Sequence, residues 1–101
     1  MVKTKFTMTS KVWFYSGRAG WYFLTLAKEP SSAIRKTFEP LTRAWGSLPV
    51  KATIGKTSWE TSIFPDKKAG AYLLPLKAAV RRQEKISEGD RIRFSVLIRC
   101  P

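Results

Sequence analysis

The sequence predicts a mainly β fold, a small closed barrel of six strands built from two similar halves with one short helix each. Several segments alternate apolar and polar residues with period two, which is typical of strands with one buried and one solvated face. The 101 residues suffice for one domain with one modest core. A 50-residue repeat predicts pseudo-twofold halves, about 1–54 and 55–101, that close on each other.

The first half begins with a long strand, because Phe6, Met8 and Val12 are apolar at even positions between polar neighbours. Trp13 and Tyr15 break the alternation, so we expect that end of the strand to be covered on both sides. The other predicted elements of this half are a turn at 16–20, a strand at 21–26, a short helix at 29–38 limited by Pro40, and a strand at 48–54.

The second half repeats this order of elements. A strand at 58–64 is expected to form a hairpin with the preceding strand around Gly55-Lys56. The remaining predicted elements are a charged loop at 65–70, a short strand at 71–74, an amphipathic helix at about 75–85 and a last strand at 91–98.

The repeat is clearest between residues 14–26 and 64–76, where six of thirteen positions are identical. Each copy alone is too small to bury a face, so packing of the two copies on each other is the physical interpretation. The alternative is two unrelated hairpins that share common turn residues.

Composition excludes several kinds of site. The chain has no histidine, and its single cysteine is Cys100, so histidine-dependent catalysis, an internal disulfide and a four-cysteine zinc site are excluded. No apolar run is long enough to cross a bilayer and no leader is visible. We therefore expect a non-enzymatic cytoplasmic protein without metal, cofactor or membrane association.

Residues 47–55 and 61–75, with Gly20-Trp21-Tyr22-Phe23 and Glu88-Gly89-Asp90, resemble the family named domain of unknown function 1905. The resemblance spans almost the whole chain. It implies a double-split β-barrel, the fold of AbrB-type transition regulators and MazE antitoxins, which bind DNA as dimers. The resemblance implies no function, because the family has no established activity or catalytic residues and a shared fold is weak evidence for one.

Charge provides the leading functional hypothesis. The chain has 19 basic and 7 acidic residues, and so a net charge of +12. A net charge of about 2–8 in magnitude is enough to keep a small domain soluble. Six cations with one acid lie between positions 67 and 85, and would attract nucleic acid or another polyanion. They are Lys67, Lys68, Lys77, Arg81, Arg82 and Lys85. The alternative is a solvated face that only keeps the barrel soluble.

Aromatic residues provide the rival hypothesis, a pocket for a small molecule or a peptide. The candidates are Trp21, Tyr22, Trp45, Trp59 and Tyr72, which could instead stack bases or simply fill the core. Asp66, in the distinctive loop after Phe64, could contact a ligand or cap the turn with its side chain. The sequence leaves monomer and homodimer open.

Overall fold

The structure, a computed structural model, describes residues 4–17, 20–42 and 46–99, which form seven strands and two helices. In chain order these are β1 (Lys5–Lys11), β2 (Trp13–Tyr15), β3 (Trp21–Thr25), α1 (Lys28–Thr42), β4 (Leu48–Ile54), β5 (Thr57–Asp66), β6 (Ala71–Pro75), α2 (Ala78–Gln83) and β7 (Arg91–Ile98).

The strands form one antiparallel sheet in the order β1-β7-β4-β5-β6-β3-β2, curled into a half-barrel. The mainly β prediction is confirmed, but the predicted closed six-stranded barrel is wrong, because the sheet is open and has seven strands. The N-terminal strand divides at Val12, whose backbone bonds to Gly89 and Asp90 of a turn. Its pieces β1 and β2 therefore lie at opposite ends of the strand order. Where β1 approaches β3, Ser10 Oγ donates to the Thr25 carbonyl at 2.6 Å.

One hydrophobic core joins both halves of the described chain. Leu24 of β3 and Leu74 of β6 lie directly opposite each other and are fully buried. Helix α1 adds Ile34 and Phe38 to this core, and α2 adds Val80. The helices thus cover the sheet with the apolar faces that their spacing predicts.

The 50-residue repeat is visible in the backbone. Strands β3 and β6 begin at positions 21 and 71, and helices α1 and α2 at 28 and 78. Leu26 N donates to the Tyr72 carbonyl at 2.9 Å, and Leu76 N donates to the Tyr22 carbonyl at 2.8 Å. The two copies therefore exchange the same backbone hydrogen bond in both directions.

The helix boundaries differ from the predicted ones. Helix α1 has 15 residues and passes Pro40, so the prediction that this proline limits the helix is wrong; a proline favours a helix end before it but does not require one. Helix α2 has only six residues, since Pro75 belongs to β6. It ends at Gln83, and Lys85, two residues further on, has a φ of 55°. Ile86 N then bonds back to the Arg81 carbonyl at 2.8 Å, the pattern of a Schellman C-cap.

The predicted hairpin of β4 and β5 is confirmed, and its turn anchors the end of α2. Gly55 in the turn has a φ of 56°, in the left-handed region that glycine tolerates. The buried Thr57 donates its hydroxyl to Glu84 Oε2 at 2.6 Å. This hydrogen bond joins the residue that follows α2 to the first residue of β5.

Candidate binding surfaces

The six predicted cations divide between two surfaces. Lys67 and Lys68 lie in the turn between β5 and β6, where they border a patch of aromatic side chains. Lys77 and Arg81 border a separate groove beside α2. The two others, Arg82 and Lys85, are exposed and border neither of these surfaces.

The patch, called here the aromatic face, spans four neighbouring strands from β5 to β2. Cross-strand pairing brings its members together, because Tyr15 lies opposite Trp21 and Trp13 lies opposite Phe23. The rings of Trp21 and Phe23 stack within 9° at 6.0 Å between centroids. The aromatic face consists of Trp13, Tyr15, Trp21, Phe23, Phe64 and Leu73.

Three rings of the aromatic face are unusually exposed. Tyr15 is 55%, Trp21 47% and Phe64 42% accessible to solvent. A contiguous exposed patch of large apolar side chains is typical of an interaction surface, whereas a single exposed ring needs no explanation. The ammonium groups of Lys67 and Lys68 give this patch a positive border.

Asp66 shapes the turn that carries these lysines. Its Oδ1 accepts hydrogen bonds from Lys68 N at 3.2 Å and from Ala69 N at 3.4 Å. Such a bond between an aspartate side chain and the backbone two residues on stabilises a turn. These hydrogen bonds are the ones expected if Asp66 caps the turn with its side chain.

The second surface, called here the Arg81 groove, has a volume of about 350 Å³ and is partly open to solvent. Its lining comes from β3, β5 and the start of the α2 region. Its lining includes Tyr22, Trp59, Thr61, Leu76, Lys77 and Arg81. The volume lies in the range of sites that hold small molecules.

Arg81 is held in place from two sides. Its guanidinium carbon lies 3.9 Å above the centre of the Tyr22 ring, in a cation–π contact. Its Nε donates to the Leu76 carbonyl at 3.2 Å. Within residues 4–17, 20–42 and 46–99, the terminal guanidinium nitrogens have no hydrogen-bond acceptor. A fixed guanidinium therefore borders the groove with free donors.

Trp59 adds a second donor without an acceptor. The side chain is 8% exposed and lines the groove. Its indole N–H donates to no group in the part of the chain that the structure describes. A buried indole N–H usually finds a partner, so this donor is a site where an acceptor would be favourable.

The position equivalent to Arg81 in the first copy of the repeat is occupied differently. Fifty positions before Arg81 stands Ser31, which is 2% exposed and donates to the Leu26 carbonyl at 3.4 Å. Its Oγ also accepts the Tyr72 N–H at 3.1 Å. Tyr72, the counterpart of Tyr22, is 1% exposed and belongs to the core. A buried serine in the first copy thus stands where the second copy has an arginine that borders a groove.

The predicted aromatic candidates separate accordingly. Trp21 borders both surfaces, Tyr22 and Trp59 line the groove, and Tyr72 is in the core. Trp45 lies outside the described residues. Sequence reasoning did not single out Tyr15, Phe23 or Phe64 as site candidates, although the break in alternation at Trp13 and Tyr15 was the available signal.

Two further findings concern the described residues only. None of their helices is both long and apolar enough to cross a membrane. No group of three or more acidic, cysteine or histidine side chains among them could hold a metal ion.

A family model with the description "Domain of unknown function (DUF1905)" matches residues 8–96, and so covers most of both halves. No curated protein matches the chain significantly.

Proposed function

Since the chain belongs to the DUF1905 family, whose description names no activity, we propose from its own geometry that it is a non-enzymatic binding module for single-stranded nucleic acid. The observation that carries this proposal is the aromatic face with Lys67 and Lys68 at its border. The sequence hypothesis of an acidic partner is kept, but the proposed surface now includes aromatic rings as well as cations.

The chemistry of the aromatic face suits unpaired bases. Exposed rings on a sheet stack two or three bases in other RNA-binding modules, and stacking tolerates any sequence because every base has a π face. Neighbouring strands lie about 4.8 Å apart, so the backbones of β5 and β2 are separated by roughly 14 Å across the sheet. That distance accommodates more than one base. Duplex bases are already stacked, so we expect a preference for single strands.

The charge supports the same partner. A net charge of +12 attracts any polyanion, and lysines beside the rings are placed to neutralise the phosphates between stacked bases. Every phosphate contact on a single strand contributes about 0.7 to the slope of log affinity against log salt. The proposal therefore makes separate predictions for the rings and for the lysines.

The experiment is a fluorescence-anisotropy titration of labelled oligothymidine of about twelve nucleotides, a length within the site sizes of single-strand binders. Replacing Tyr15 or Phe64 by Ala should weaken binding by about 5- to 150-fold, because one stacked base contributes about 1–3 kcal/mol. Leu97→Ala is the matched control, since Leu97 is 37% exposed on β7 and outside the aromatic face. Trp21 is unsuitable because it also borders the groove.

Lysine variants test the electrostatic part. Lys67→Gln and Lys68→Gln should each reduce the salt slope by about 0.7, whereas Lys51→Gln, an exposed change of equal charge on β4, should not. Absence of binding at low salt, equal affinity for a duplex, or equal effects of Tyr15→Ala and Leu97→Ala would contradict the proposal. So would sedimentation showing a dimer that Tyr15→Ala dissociates, because the face would then be covered by a second copy.

A further inference from the structure

The Arg81 groove carries an inference independent of the nucleic-acid proposal. We propose that it is a binding site for a small planar organic anion, an aromatic ring that bears a carboxylate or a phosphate. The groove and the aromatic face share only Trp21 as a border residue, so each can be tested through residues that the other does not use.

The polar groups of the groove specify an acceptor. The Arg81 terminal nitrogens and the Trp59 indole N–H are donors without acceptors among the described residues, and the exposed Lys77 adds a positive charge. The one acid in the lining is Glu60, whose carboxylate is already paired with Arg99. Guanidinium donors match the paired oxygens of carboxylates and phosphates, and charged hydrogen bonds of this kind are the strong ones.

The apolar groups of the groove specify the rest of the ligand. Tyr22, Trp59 and Leu76 line it with two aromatic rings and one aliphatic side chain. The volume of about 350 Å³ lies near the lower end for small-molecule sites, which favours a ligand of one or two rings. An aromatic ring can stack on these walls while its acid group reaches Arg81.

Pre-organisation separates this site from a surface arginine in general. Tyr22 and the Leu76 carbonyl hold the guanidinium before a ligand arrives, so binding orders little additional side chain. The equivalent place in the other copy holds the buried Ser31 and Tyr72 instead. The first copy therefore has a serine side chain at the position where the second copy has the arginine of the groove.

The test measures binding of benzoate and phenyl phosphate by calorimetry, with neutral benzamide as the matched probe. We expect a Kd tighter than about 1 mM for at least one acid, and binding at least tenfold weaker for benzamide. In an NMR titration the indole N–H resonance of Trp59, assigned with Trp59→Phe, should move as the acid is added. A response to only one acid would identify the head group.

Variants distinguish the groove from general charge. Arg81→Gln should weaken binding of the acid by about tenfold or more, while Arg82→Gln, an equal charge change outside the groove, should leave it within twofold. Trp59→Phe keeps an aromatic ring and removes the indole N–H, so it should weaken binding while the protein remains folded. The proposal is overturned if neither acid binds, if benzamide binds equally well, or if the two arginine variants behave alike.

Discussion

The hydrogen bond between Thr57 and Glu84 allows a sharp prediction about stability. Thr57→Val keeps the shape of the side chain and removes the hydroxyl that Glu84 accepts at 2.6 Å. A hydrogen bond to a charged group contributes about 1.5–3 kcal/mol. Glu84 is only half-buried, and water can partly replace the lost donor, so we expect a loss near the lower end, about 1.5 kcal/mol.

The measurement is urea unfolding, with thermal unfolding as a second readout. A loss of about 1.5 kcal/mol should lower Tm by roughly 6–12 °C in a domain of this size, with an unchanged m-value. Thr53→Val is the matched control, because Thr53 Oγ1 shares a 2.9 Å hydrogen bond with Ser58 on the exposed side of the same hairpin. The control carries the same change of strand propensity and should stay within about 0.5 kcal/mol of the parent protein.

The comparison of the two valine variants decides the result. If Thr57→Val falls within about 0.5 kcal/mol of Thr53→Val, the contact to Glu84 does not hold α2 against the hairpin. A changed m-value would also refute the reasoning, because it would show an altered unfolded or native surface instead of one lost hydrogen bond.

Two further predictions concern Gly55, which lies beside Glu84, and Ser31, which bonds to the backbone of Tyr72. Gly55→Ala should destabilise by about 1 kcal/mol because of the positive φ, and its methyl group would also press on Glu84. Combined with Thr57→Val, its effect should therefore be less than additive in urea unfolding, and strict additivity would exclude the contact between the two sites. Ser31→Ala should lower the free energy of unfolding by about 1–3 kcal/mol, since the buried Tyr72 N–H would lose the hydroxyl that accepts it. An unchanged midpoint would show that this hydrogen bond contributes nothing.

Elements that depend on residues close together in the sequence were predicted correctly. Period-two alternation predicted the last strand at its observed bounds, and the Gly55-Lys56 turn predicted the hairpin. The predicted end of α1 was wrong because a proline favours a helix end before it without requiring one, and the helix continues to Thr42. Closure of the barrel was wrong because it depends on the partners of the backbone at Val12, which a single segment does not show.

The sequence predicted which residues belong to candidate sites, but not which of them lie next to each other in the fold. Arg81, Tyr22 and Trp59 were all candidates from the sequence, but no pattern in the sequence indicates that they line the same groove. Tyr22 and Tyr72 occupy equivalent positions of the repeat, but Tyr22 is half-buried and Tyr72 is fully buried. The difference follows from the residues packed nearby, and such a tertiary effect is invisible to a repeat alignment.

The pairing of β1 with β7 has a consequence for how the chain is synthesised. Lys5 lies opposite Leu97, a separation of 97 − 5 = 92 residues in a chain of 101. Strand β1 therefore leaves the ribosome well before β7, and until β7 follows, the backbone edge that β7 pairs is unpaired and Phe6 is uncovered. Folding dominated by such distant pairings takes milliseconds to seconds. We expect the net charge of +12 to oppose association of nascent chains in this interval, because like charges repel each other.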